Sequence, residues 1–155
     1  MITLKTRNLP LKEFLIKHPQ GQTMNNYEIV EFIKELLPKY YGGLTWNDVD
    51  IRSRKAEYVE VRRAFTYYVY NYTTLTLQRI GDLFTKYEPY NPLFKGRSGK
   101  DHSTILFLVR KYNDFIKVEK PSLDRHSQFE SELIGKGLKR VTRLNYNNYR
   151  SPMNF

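Results

Sequence analysis

The chain has 155 residues, which suits one domain with appendages, and it is 40% hydrophobic, enough for a real core. It has no cysteine, which excludes disulfides, thiolate metal sites and cysteine nucleophiles, and no apolar run approaches a membrane span. The formal net charge of +10 favours polyanionic partners and says little about fold.

Leu11, Phe14 and Leu15 have i, i+3, i+4 spacing, which predicts a short helix over Pro10–Lys17. His18-Pro19-Gln20-Gly21 breaks it. The N-terminal stretch MITLKTRNLPLKEF lacks the h-region and cleavage site of a signal peptide, so the expected location is the cytoplasm. A second helix follows Asn26, read as its N-cap, with Ile29, Phe32, Ile33, Leu36 and Leu37 as a broad apolar stripe. Gly42-Gly43 is its exit, and Thr45 with Asp48 predicts a capped short helix over Trp46–Ile51.

The basic segment IRSRK has no apolar period and reads as a loop. From Ala56 to Tyr72, Tyr58, Val61, Phe65, Tyr68 and Tyr72 fall on one helical face. Thr76 is then the expected N-cap of a helix over Leu77–Phe84. Residues 85–100, with two prolines and two glycines, read as a loop, and Asp101 as the cap of the next helix. Ile105, Leu108, Val109, Tyr112 and Ile116 make that helix's buried stripe. Pro121 is expected to separate it from a last helix over Ser127–Leu144, weakened by Gly135 and Gly137 and packed through Phe129, Leu133, Ile134, Leu138 and Val141. The polar, tyrosine-rich end is expected to be loose. The sum is an all-α fold of about six helices.

Basic residues gather at three places: Arg52, Arg54, Lys55, Arg62 and Arg63; Lys95, Arg97 and Lys100; and, after Glu132, Lys136, Lys139, Arg140, Arg143 and Arg150. Such groups can form one face in space. The stretch GRSGKDHSTIL at 96–106 invites a phosphate-loop reading, which fails. Gly99-Lys100 requires a glycine at position 94 and a hydroxyl at 101, where the chain has Phe94 and Asp101. Pro89 and Pro92 also make the preceding segment a poor central strand. ATP and other nucleotide cofactors are therefore not expected.

From Thr76 to Phe115 the order is helix, connection, helix, as in a helix-turn-helix, whose second helix meets base edges with its first residues. Asp101, His102, Ser103 and Thr104 fill that first turn. Histidine can donate to guanine, a carboxylate can accept from cytosine, and hydroxyls can do either.

These residues resemble a family. Arg62-Arg63-Ala64, Leu75-Thr76-Leu77 with Ile80-Gly81-Asp82 and Phe84, and Asp101-His102-Ser103-Thr104-Ile105-Leu106 are similar to the C-terminal DNA-binding domain of the bacterial replication initiator DnaA. Asp50-Ile51-Arg52-Ser53-Arg54-Lys55 resembles that family's basic loop. The resemblance covers residues 27–117 and leaves 1–26 as an extension and 118–155 as a C-terminal helix with a basic tail. It implies a Trp-repressor-like helix-turn-helix that binds double-stranded DNA with sequence preference, in replication initiation or transcriptional regulation at the nucleoid. One of Arg52, Arg54 and Lys55, with Arg54 favoured, would enter the minor groove. Asp101, His102 and Ser103 would meet base edges, Thr104 and Arg62 would hold phosphates, and Gly81 would permit close packing. Arg63, Thr76, Gln78 and Lys100 complete the expected DNA-binding set. Residues 85–100 stand where the family has a short turn, and Tyr70 and Gln78 stand where it has a lysine and a proline. No ATPase module is expected here, hence no enzyme. The alternative is a protein-interaction module that docks through the 85–100 loop and the tail.

Other constellations carry less. His18, His102 and His126 lack metal-ligand spacing, so no metal is expected. Asp124-Arg125-His126 reads as a solvated linker. Asp48, Asp50, Glu57 and Glu60 do not single out a nuclease pair. Most of the thirteen tyrosines sit at core or interface spacing, while Tyr87 and Tyr90 could stack on unpaired bases.

Overall fold

The computed structural model describes residues 16–17, 24–50, 54–84, 100 and 102–143. The fold is all-α, with six helices and one two-residue strand pair among the described residues. Helix α1 spans Asn26–Tyr40 and starts one residue before the expected place. Asn25 is the cap because it has glutamate three residues on: its Oδ1 accepts from Glu28 N at 2.9 Å, and Glu28 Oε1 accepts from Asn25 N at 3.1 Å. Asn26 instead ties α1 to a distant segment. Its Oδ1 accepts from Thr74 N at 3.0 Å, and its Nδ2 donates to Thr74 Oγ1 at 2.9 Å. Gly42 and Gly43, at φ 63° and 76°, turn the chain out of α1 as expected.

Helix α2 (Trp46–Val49) opens with Thr45 N donating to Asp48 Oδ2 at 2.9 Å. Helix α3 (Ala56–Tyr72) matches its expected span. It packs against α1, α2, α4 (Leu77–Asp82) and α5 (His102–Val118). That central position buries it on nearly every side, so Arg62, Thr66 and Tyr67 are interior along with Val61, Phe65, Tyr68 and Tyr72. The Trp46, Phe65 and Phe84 rings meet at 4.5–5.8 Å between centroids and join α2, α3 and the end of α4. The fully buried Phe65 and Phe84 rings each stabilise the fold by roughly 1.5–3 kcal/mol through burial. The buried stripe of α5 is the expected one: Ile105, Leu108, Val109, Tyr112 and Ile116.

The end of the chain departs from expectation. Helix α6 spans Lys120–Gly135, seven residues earlier than the Ser127 start read from the sequence. Pro121 opens this helix rather than merely preceding it, because the first-turn amide it lacks has no intrahelical partner anyway. Gly137, at φ 95°, ends it. Asp124-Arg125-His126 is therefore helical and partly interior, not a solvated linker. Beyond it, β2 (Thr142–Arg143) pairs antiparallel with β1 (Ile16–Lys17) in the register Ile16↔Arg143. The expected Pro10–Lys17 helix thus ends in a strand, and the rest of it lies outside the described residues. Here pairing with a distant segment overrides local periodicity.

Arg143 anchors this end. Its Nε donates to Tyr70 O at 2.8 Å, and its Nη2 donates to Thr73 O at 2.8 Å and Leu75 O at 2.7 Å. Arg140 reaches Glu130 Oε2 at 2.7 Å and Tyr67 Oη at 3.0 Å. Both belong to the basic group after Glu132, and both bind the chain to itself, although Arg140 remains exposed.

A buried polar network fills the space between α1, α3, α5 and α6. The hydroxyls of Tyr41, Tyr68 and Tyr112 lie 2.7–3.0 Å from one another. His126 Nδ1 is 3.0 Å from Tyr68 Oη and 3.2 Å from Tyr112 Oη, and its Nε2 is 2.9 Å from Glu130 Oε1. In the neutral ring, Nε2–H donates to that carboxylate and Nδ1 accepts from a tyrosine hydroxyl. Tyr72 Oη donates to Glu130 Oε2 at 2.6 Å. Burial alone would raise the Glu130 pKa, but His126, Tyr72 and Arg140 outweigh it and bring it down to about 2. Burial pushes the Tyr68 and Tyr112 hydroxyls well above their ordinary range, which keeps them protonated donors.

Candidate nucleic-acid interface

The start of α5 is set by a backbone contact. Lys100 N donates to Gly81 O at 3.0 Å. A Cβ at position 81 would lie 1.8 Å from Lys100 O and 2.9 Å from Lys100 C. Backbone cannot retreat as a side chain tip does, so only glycine fits, and the expected close packing at Gly81 is present. The contact holds α4 against the entry to α5. Thr76 caps α4 as expected, its Oγ1 accepting from Arg79 N at 3.2 Å. Gln78 and Arg79 are exposed on α4, with Gln78 Nε2 donating to Asp82 Oδ1 at 3.2 Å.

At the first turn of α5, His102 and Ser103 are exposed and Thr104 is half-buried. Their amides precede the first intrahelical acceptor, so this end carries the partial positive charge that suits anions. Asp101 and Arg52 lie outside the described residues, as does the 85–99 segment proposed for protein docking. Arg54 and Lys55 are exposed on the approach to α3, and Lys55 Nζ stands 5.8 Å from the Tyr58 ring centroid.

Two residues expected to touch DNA lie largely inside the fold instead. Arg62 is only 7% exposed, and its Nε donates to Val49 O at 3.2 Å, so it joins α3 to the end of α2. Lys100 is 5% exposed with Nζ 5.1 Å from the Phe84 ring centroid. Local sequence does not reveal that α2 covers Arg62 or that Phe84 lies against Lys100. Arg63, next in the chain, is different. It is half-buried, and its Nε is buried with no hydrogen-bond partner. A buried donor left unpaired costs about 1–3 kcal/mol.

Sequence reasoning missed the continuation of the α5 surface. Phe107, Arg110 and Lys111 are exposed beyond the first turn. The signal was available: Phe107 falls outside the Ile105–Leu108–Val109 stripe. Among the described residues, no helix is long and apolar enough to cross a membrane, and no cluster of three or more histidines or carboxylates is placed to hold a metal ion. Comparison with protein-family models, curated proteins and solved structures yields no match.

Proposed function

We propose that this protein binds double-stranded DNA with sequence preference, placing the first turns of α5 in the major groove. The observation that carries the reading is the entry to α5: the Gly81–Lys100 backbone contact fixes it, while His102 and Ser103 stay open to solvent. A groove-reading helix needs both a rigid mount and free first-turn donors and acceptors. Support also comes from the net charge of +10 and from the exposed Arg54 and Lys55, which suit a minor-groove or phosphate contact. The likeness of DHSTIL and of the Leu75–Phe84 segment to the initiator's DNA-binding domain agrees with this reading, and the role we propose with it is replication initiation or transcriptional control.

Selection of bound duplexes from a random-sequence pool tests it. The expected result is an enriched sequence, bound with a log K against log salt slope of about −5 to −7 if five to eight phosphates are neutralised. Absence of duplex binding at low salt overturns the reading.

A further inference from the structure

Helix α5 offers solvent more than its first turn. Ser103, Phe107, Arg110 and Asp114 are all exposed. They recur at i, i+4, i+7 and i+11, so they project within about 60° of one another around the axis. Phe107 keeps 51% of its surface in water. Its helix already has a complete buried stripe on the other side, so the fold leaves this ring unused. Lys111 Nζ stands 5.4 Å from the ring centroid, and Arg110 and Lys117 are exposed along the same side. The stripe therefore sets an apolar ring among cations. Its complement is a surface with anions at the rim and an apolar group on the floor. The major groove is such a surface, with phosphates along its edges and the thymine C5-methyl inside.

We propose that Phe107 is a specificity-determining residue whose ring contacts a thymine methyl, while Arg110 and Lys111 hold flanking phosphates. This rests on the reading of α5 as the groove helix. The rise from Ser103 to Phe107 is about 6 Å, just under two base steps of about 3.4 Å. The selected thymine therefore lies one or two steps from the base met by Ser103. Asp114, about 16 Å along the helix from Ser103, repels phosphate and bounds the stripe.

The test uses the full chain and a duplex selected from the random pool. Uracil replaces each thymine in turn, which removes the methyl and keeps the pairing. At one position the wild type should bind uracil about fourfold more weakly, the equivalent of about 0.8 kcal/mol for one buried methyl. Phe107→Ala should bind the thymine duplex at least as weakly as wild type binds the uracil duplex, and should no longer distinguish the two. Its thermal midpoint should match wild type, because the side chain is exposed. A thymine–uracil difference that survives in Phe107→Ala, or no thymine preference in the selected duplexes, overturns the proposal while leaving groove binding standing. Loss confined to single-stranded oligothymidine would instead assign the ring to stacking on unpaired bases, and also overturns it. No duplex binding at all overturns the underlying reading.

Discussion

The two sides of α5 spend their polar groups in opposite ways. Inward, Tyr112 joins Tyr41, Tyr68, His126 and Glu130 in a network where each member is matched by another. Outward, His102, Ser103 and Arg110 meet solvent. The inner set closes the fold, and the outer set leaves chemistry open to a partner. The contrast also divides the cations. Arg62, Lys100 and Arg143 are drawn inward onto carbonyls or a ring, whereas Arg54, Lys55, Arg79, Arg110 and the Glu130-bound Arg140 are exposed. A basic composition therefore overstates the basic surface.

The sharpest way to break this division is at Glu130. Glu130→Ala removes the acceptor shared by His126, Tyr72 and Arg140, and chemical denaturation should register a loss of about 3–5 kcal/mol. The same carboxylate gives the inner network an acid limit. Its folded pKa of about 2 lies below the ordinary value of 4.5. Its stabilisation is thus complete above the unfolded pKa and disappears as pH falls through the folded one. Wild type should lose on the order of 3 kcal/mol between about pH 5 and pH 2 from this group, and Glu130→Gln should flatten that slope.

Gly81→Ala attacks the mount of the outer face. Its methyl meets Lys100 backbone, so a stability loss of about 2–3 kcal/mol and weakened duplex binding should appear together. Arg62→Ala separates the corrected role from the expected one. It should cost about 1–3 kcal/mol in stability through the lost Val49 carbonyl bond and packing. A surface phosphate contact would instead leave stability unchanged and weaken all duplexes alike. His102→Ala should have the smallest effect on the fold, within about 0.5 kcal/mol, because the residue is exposed. It should still reduce discrimination among selected duplexes by about 1–3 kcal/mol per lost base contact. Unchanged discrimination by His102→Ala between the selected and a scrambled duplex would remove base reading from His102.

The sequence by itself determined the helical class, the spans of α3 and the buried stripe of α5. Those follow from the period of the apolar residues along one segment, and the helix starts at Thr45 and Thr76 follow from polar groups that bond within one turn. It also marked Gly81, because a glycine where two backbones meet closely is a local feature. Tertiary structure decided what depends on a neighbour from elsewhere in the chain. His126 reads as linker until α3 and α5 supply Tyr68 and Tyr112, and Lys17 as helix until Thr142 pairs with it. Arg62 and Lys100 read as DNA contacts until α2 and Phe84 cover them. Charge and hydrogen-bonding capacity are written in each residue, but which partner meets them is set by packing across the chain.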